Sequence, residues 1–126
     1  MNDNGRYSSL VARLFREAPG AGRPDGAGWL SGEAREPLTG THVRIHVRGA
    51  GGAIASVRYE VRGCPHTIAA AALIATELAG RPFAEPALDL AELAARLEAP
   101  ASKLGRLFVI QDAFREAFLT LGRGSA

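Results

Sequence analysis

Between residues 41 and 78 the chain changes its hydrophobic period once, and that change dictates most of the fold. Thr41, Val43, Ile45 and Val47 alternate with His42, Arg44, His46 and Arg48, the period of a strand with one face on a core and the other in water. The run Ala53–Arg62 repeats the pattern, with Val57, Tyr59 and Val61 on one face and Arg58, Glu60 and Arg62 on the other. Gly49-Ala50-Gly51-Gly52 between them has the composition of a hairpin connection. Alternation stops at Gly63. Pro65 suits a first helical position, and Ile68–Leu78 is apolar on every side except at Thr76 and Glu77, the pattern of a buried helix. Gly80 follows as a C-terminal stop.

The flanks fill in around this unit. Leu10, Val11, Leu14, Phe15 and Ala18 recur at helical spacing behind Ser8 or Ser9 as a cap, predicting a helix over Ser8–Ala18. The glycine-rich stretch Gly20–Gly28 reads as a loop, and Gly28–Glu36 as a further strand. Asp89 with Glu92 forms a capping box ahead of Leu90, Leu93, Ala94 and Leu97, and Pro100 closes that short helix. Leu107, Ile110, Phe114, Ala117, Phe118 and Leu121 mark a last amphipathic helix. The order predicts an α+β fold over residues 1–126 as a single domain: a three-stranded antiparallel sheet packed with helices on one face.

Composition narrows the function classes. A hydrophobic fraction of 47% and a mean hydropathy of +0.01 fit a soluble domain with one core. No apolar stretch reaches the length of a membrane span, so no membrane partner is expected. Met1-Asn2-Asp3-Asn4-Gly5-Arg6 lacks the apolar core of a signal peptide. One cysteine excludes an intrachain disulfide and fits a reducing, cytoplasmic setting. Net charge is only +2, and basic residues alternate with acidic ones, as in Glu33-Ala34-Arg35-Glu36. That reads as a mixed solvated surface, with no nucleic-acid partner.

The lone Cys64 lies in the turn between the last strand and the buried helix, where helix amides and a nearby cation favour thiolate. A small apolar residue tolerated in a turn is the alternative. His66 stands two residues on, so Cys64 and His66 are the candidate metal pair, although a stable site needs three or four ligands. His42 and His46 share a strand face, but extended chain separates them by roughly 13 Å, and they read as solvent-facing. The Gly20–Gly28 loop lacks the Gly-Lys-Ser/Thr ending of a phosphate-cradling loop. There is no Gly-x-Ser-x-Gly, no His-Glu-x-x-His and no base placed to serve Cys64 as in a protease. An enzyme is not expected.

The segment Val57–Glu77 with its Gly80 stop, then Leu90–Leu97, Pro100, Lys103 and Asp112-Ala113, resembles the IscU and NifU N-terminal family of iron–sulfur cluster assembly scaffolds. Tyr7-Ser8-Ser9 with Val11 and Phe15 is similar to that family's opening helix. The resemblance implies a three-stranded antiparallel sheet with helices, shared with the SufE sulfur acceptors. It also implies a [2Fe–2S] cluster on three cysteines, an aspartate and often a histidine. Cys64 matches the middle cysteine, Thr39-Gly40-Thr41 stands where the family has Cys-Gly-Asp, and Gly105-Arg106 where it has His-Cys. The partners implied are a cysteine desulfurase and an Hsp70-type chaperone. Of the chaperone-binding Leu-Pro-Pro-Val-Lys motif, Ala99–Lys103 keeps only Pro100 and Lys103.

Three readings follow. The first is an assembly protein that retains one family cysteine and accepts persulfide sulfur on Cys64. The second is a single-cysteine acceptor of the SufE type. The third is a pseudo-scaffold that binds or regulates a partner without using Cys64.

Overall fold

The computed structural model describes residues 7–124, with side chains as far as Leu119. The reading of Met1–Arg6 and the placing of Leu121 on the last helical face lie outside the described residues. The elements are α1 (Ser9–Glu17), β1 (Trp29–Glu36), β2 (Thr41–Ala50), β3 (Ala53–Arg62), α2 (Pro65–Leu78), α3 (Leu90–Leu97), a 3-10 turn (Ala101–Lys103) and α4 (Leu104–Gly124). The strands form one antiparallel sheet in the order β1-β2-β3. The α+β class and three-stranded sheet are as the periodicity predicts.

Local chemistry explains each boundary. Ser8 caps α1 by accepting from the Val11 N–H at 3.2 Å and donates its own hydroxyl to the Leu97 carbonyl at 2.8 Å. One serine therefore starts α1 and ties it to the end of α3. Asp89 accepts from the Glu92 N–H at 3.0 Å, as a capping aspartate does. The β2–β3 turn is only Gly51-Gly52, both at positive φ (61° and 82°), the backbone that a tight hairpin needs and that L side chains resist. The last helix starts at Leu104, three residues earlier than its apolar pattern indicates, continuing directly from the 3-10 turn.

The core lies between one sheet face and the helices. Val43, Ile45, Val47, Val57 and Tyr59 point inward and are buried. Against them, α2 covers β3 and α4 covers β1 and β2, while α1 packs outside α2. The run of alanines at positions 69–72, all buried, lets the α2 backbone come close to its neighbours. At Gly32 on β1 the approach of α4 is closer still. A Cβ added there would lie 2.3 Å from both the Ala113 carbonyl oxygen and the Ala117 nitrogen.

The Gly20–Gly28 segment is a loop with one structural duty. Gly22 donates to the Tyr59 carbonyl at 2.8 Å, and Tyr59 donates to the Gly20 carbonyl at 3.1 Å. The loop thereby satisfies part of the outer edge of β3, which would otherwise present unpaired backbone groups.

One expectation fails here. His46 is not a solvent-facing residue. It is 7% exposed, close to the Ser31 Oγ at 2.7 Å through Nδ1 and to a Glu60 carboxylate oxygen at 2.8 Å through Nε2. The reason is its strand. In the centre of the sheet a side chain is flanked on both sides, here by Ser31 on β1 and Arg58 on β3. His42, nearer the end of the same strand, is partly exposed and pairs with Glu33.

Candidate functional site around Cys64

The end of the sheet where β2 begins and β3 stops gathers most of the chemistry predicted from sequence. Cys64 is the N-cap of α2, in extended conformation (φ −79°, ψ 166°), with Pro65 following in the first turn. Its sulfur is half-buried and lies 3.6 Å from the Thr67 hydroxyl. Thr67 occupies the N3 position, the one that an N-cap side chain reaches. Sequence reasoning missed it, although the i+3 spacing from a capping cysteine was the signal.

Thr39 of the β1–β2 turn and Thr41 at the start of β2 complete one wall. Thr39 and Thr41 share a hydroxyl–hydroxyl hydrogen bond of 2.8 Å, and Thr39 N–H donates to a Glu36 carboxylate oxygen at 2.8 Å. A Cβ added to Gly63 would meet Thr67 Cβ at 3.4 Å and Thr41 Cγ2 at 3.5 Å. Gly63, Thr41 and Thr67 therefore converge beside the sulfur, and both threonines are buried. From α4, Arg106 reaches Cys64.

These neighbours set the charge state of the sulfur. Burial, the largest effect, pushes the Cys64 thiol up. The Thr67 hydroxyl and N–H, the Arg106 guanidinium and the His66 N–H all favour the thiolate and together prevail, bringing the pKa from 9.0 down to about 7. The thiolate is therefore accessible to Cys64 near neutral pH.

His66 is brought near but is not a ligand partner in any evident set. It is 2% exposed, its ring is 5.1 Å from that of Tyr7, and neither ring nitrogen has a hydrogen-bond partner. Burial, then Lys103 and Arg106, hold its pKa below the ordinary 6.5. The stability consequence has a definite sign. The unfolded chain binds the His66 proton more readily than the native one. The neutral imidazole's contribution is complete above about pH 6.5 and is lost as pH falls through the lower folded value. Urea unfolding at pH 7 and pH 5 should show wild type losing more stability than His66→Phe. Parallel losses in the two proteins would refute a buried neutral His66.

Among the described residues the donor set around Cys64 does not fit a cluster. It offers one thiolate, buried threonine hydroxyls and a guanidinium, whereas iron needs several soft charged ligands. Among the described residues no group of three or more His, Cys, Asp or Glu is placed to hold a metal ion. Cys64 and His66 are not joined by a third such residue. A cleft of about 400 Å³ opens elsewhere, at the C-terminal end of α2, lined by Ile74, Leu78, Leu88, Leu93 and Arg81 among others. Among the described residues no helix is long and apolar enough to cross a membrane.

Comparison with known proteins agrees with this architecture. The family model of the NifU-like N-terminal domain matches residues 6–121. The chain belongs to that family. Among solved structures, a candidate iron–sulfur cluster assembly scaffold protein for the SUF system from Fervidobacterium islandicum superposes with a TM-score of 0.70 at 15% identity, covering 88% of this chain and 95% of that one. The N-terminal part of a NifU-like protein from Brucella abortus gives 0.68 at 13% identity, covering 92% and 94%. At these identities the structural likeness establishes the fold alone. Among curated proteins none matches the chain by sequence.

Proposed function

We propose that this NifU-like domain serves iron–sulfur cluster assembly as a sulfur acceptor, with Cys64 taking a sulfur atom from the persulfide of a cysteine desulfurase. The observation that carries this reading is the half-buried Cys64 sulfur 3.6 Å from the Thr67 hydroxyl at the start of α2, with Arg106 among the groups that favour its thiolate. A cation stands at a position where a cluster scaffold would have a thiolate. Such a pocket repels iron and stabilises anionic sulfur.

The chemistry needs only what the site offers. The Cys64 thiolate attacks the terminal sulfur of the donor's persulfide. A new S–S bond forms on Cys64 while the donor's own S–S bond breaks, and its electron pair leaves with the donor cysteine as thiolate. The transferred sulfur keeps its proton or its charge, and no outside oxidant or reductant is required. The resulting persulfide is an anion at neutral pH, and Arg106 remains its counter-ion. The protein then acts as a carrier, not as a catalyst that turns over by itself. A desulfurase is its expected partner. The Ala99–Lys103 segment includes the 3-10 turn Ala101–Lys103, where the Lys103 N–H binds the Pro100 carbonyl at 2.9 Å, and no chaperone role is assigned to it.

The test reads Cys64 directly. Incubated with a desulfurase and free cysteine, the protein should gain one sulfur atom by intact mass, and Cys64→Ser should gain none. The pH profile of alkylation should have its midpoint near 7. In Arg106→Gln it should move up towards the ordinary thiol value, about 8.5. Slow alkylation of the native protein with fast alkylation after denaturation would make Cys64 a core residue and favour the pseudo-scaffold reading.

A further inference from the structure

The face of the sheet turned away from the helices carries a charge that the sequence disperses. The register places Trp29, Ser31, Glu33 and Arg35 of β1, His42, Arg44, His46 and Arg48 of β2, and Arg58, Glu60 and Arg62 of β3 on one side. Arg23 reaches the same side through Glu60, at 3.4 Å. Six arginines therefore meet two glutamates, with Glu116 of α4 at the rim near Ser31 and Arg44 and Glu36 at the rim near Arg35 and Arg62. The whole chain has fifteen basic and thirteen acidic residues. With these six and four set aside, seven basic residues with described side chains stand against eight acidic ones elsewhere. Among the described residues the excess positive charge is all on this face.

The carboxylates present do not neutralise it. Glu33 is shared among His42, Arg35 and Arg44, and Glu60 between His46 and Arg23. Arg23, Arg35, Arg44, Arg48 and Arg62 are exposed. Holding six guanidinium groups on one flat surface costs electrostatic repulsion unless a negative partner relieves it.

We infer that this outer sheet face is a docking surface for a protein partner bearing a carboxylate-rich patch or segment. Charge complementarity selects the class of partner, and two features select protein over nucleic acid. A single-stranded nucleic acid stacks its bases on exposed aromatic rings, but Trp29 is the one tryptophan and the Arg48 guanidinium occupies one face of its ring, 4.9 Å from the centroid. A duplex extends past any single face, and among the described residues the rest of the surface has no basic excess. A compact acidic patch meets neither obstacle. The row Arg35, His42, Arg62 runs towards the Pro37–Thr41 turn, so a partner seated here lies next to the Cys64 end of the sheet. The inference does not depend on Cys64 chemistry.

Trp29 supplies the readout. Polyglutamate titrated at low ionic strength should change its fluorescence saturably, and added salt should weaken the binding. The variant Arg35→Glu/Arg44→Glu/Arg62→Glu should bind at least ~10-fold more weakly, while Arg13→Glu/Arg16→Glu/Arg81→Glu, with the same change in net charge at exposed sites elsewhere, stays within ~2-fold of wild type. Circular dichroism melts confirm that both variants are folded, and Cys64→Ser should bind as wild type does. Equal weakening in the two triple variants, or no saturable signal, overturns the inference. So does tighter binding of oligo-dT than of polyglutamate at matched ionic strength, which would make the face a nucleic-acid surface.

Discussion

Replacing Gly32 with alanine should cost this domain more stability than a change of one methyl group ordinarily does, and Gly32→Val should leave it largely unfolded. The added Cβ would stand 2.3 Å from the Ala113 oxygen and the Ala117 nitrogen, far inside van der Waals contact. Both are backbone atoms of α4, so no side-chain rotation relieves the clash, and β1 or the helix must move. Overpacking a core typically costs ~1–3 kcal/mol, and a clash with rigid backbone belongs at or above the top of that range. A small domain has only ~5–15 kcal/mol in total. Gly26 provides the contrast. It has φ +84° and nothing within 4 Å of an added Cβ, so Gly26→Ala should lose only the ~1–2 kcal/mol of left-handed backbone strain. Urea midpoints measure both, and Gly32→Ala unfolding with the wild-type midpoint would mean that α4 does not cross β1 where described.

Restoring ligands should convert the Cys64 site into a metal site. In Thr39→Cys/Thr41→Asp/Arg106→Cys, two thiolates and a carboxylate replace hydroxyls and a cation around Cys64. The hydrogen bond between Thr39 and Thr41, the contact geometry of Thr41 at Gly63 and the reach of Arg106 to Cys64 place all of them at one end of the sheet. Structural tetrahedral zinc sites are worth ~10 kcal/mol or more, so even an imperfect set should raise zinc affinity at least ~1,000-fold. Competition against a chromophoric chelator reads the gain. A folded triple variant with wild-type affinity would show that these loops do not converge on the thiol. Burying a carboxylate at position 41 carries its own cost, so Thr39→Cys/Arg106→Cys serves as the companion variant with Thr41 kept.

The two forms of periodicity made the β2–β3 hairpin and α2 legible, because alternation and all-round apolarity are local consequences of which sides of an element are buried. Ser8 and Asp89 were legible as caps for the same reason: a cap reads out over three residues. The resemblance carried by Val57–Glu77 brought Cys64, Thr39, Thr41 and Arg106 into one site before any geometry was known. Gly32 gave no such signal. Its meaning rests on Ala113 and Ala117, some eighty residues away, and no local pattern joins them. His46 was misplaced because alternation tells which face a residue takes and not whether the strand is central or at the edge. The outer face shows the same division. Each arginine there has an acidic or apolar neighbour along the chain, so the sequence by itself determined a mixed surface of net charge +2. Only the pairing of three strands, which brings every second residue of each onto one plane, gathered six arginines together. Likewise the chain determined that a lone cysteine follows Gly63, but its thiolate character was decided by tertiary structure, because charge acts through space and Arg106 is forty-two residues distant in sequence while adjacent in the fold.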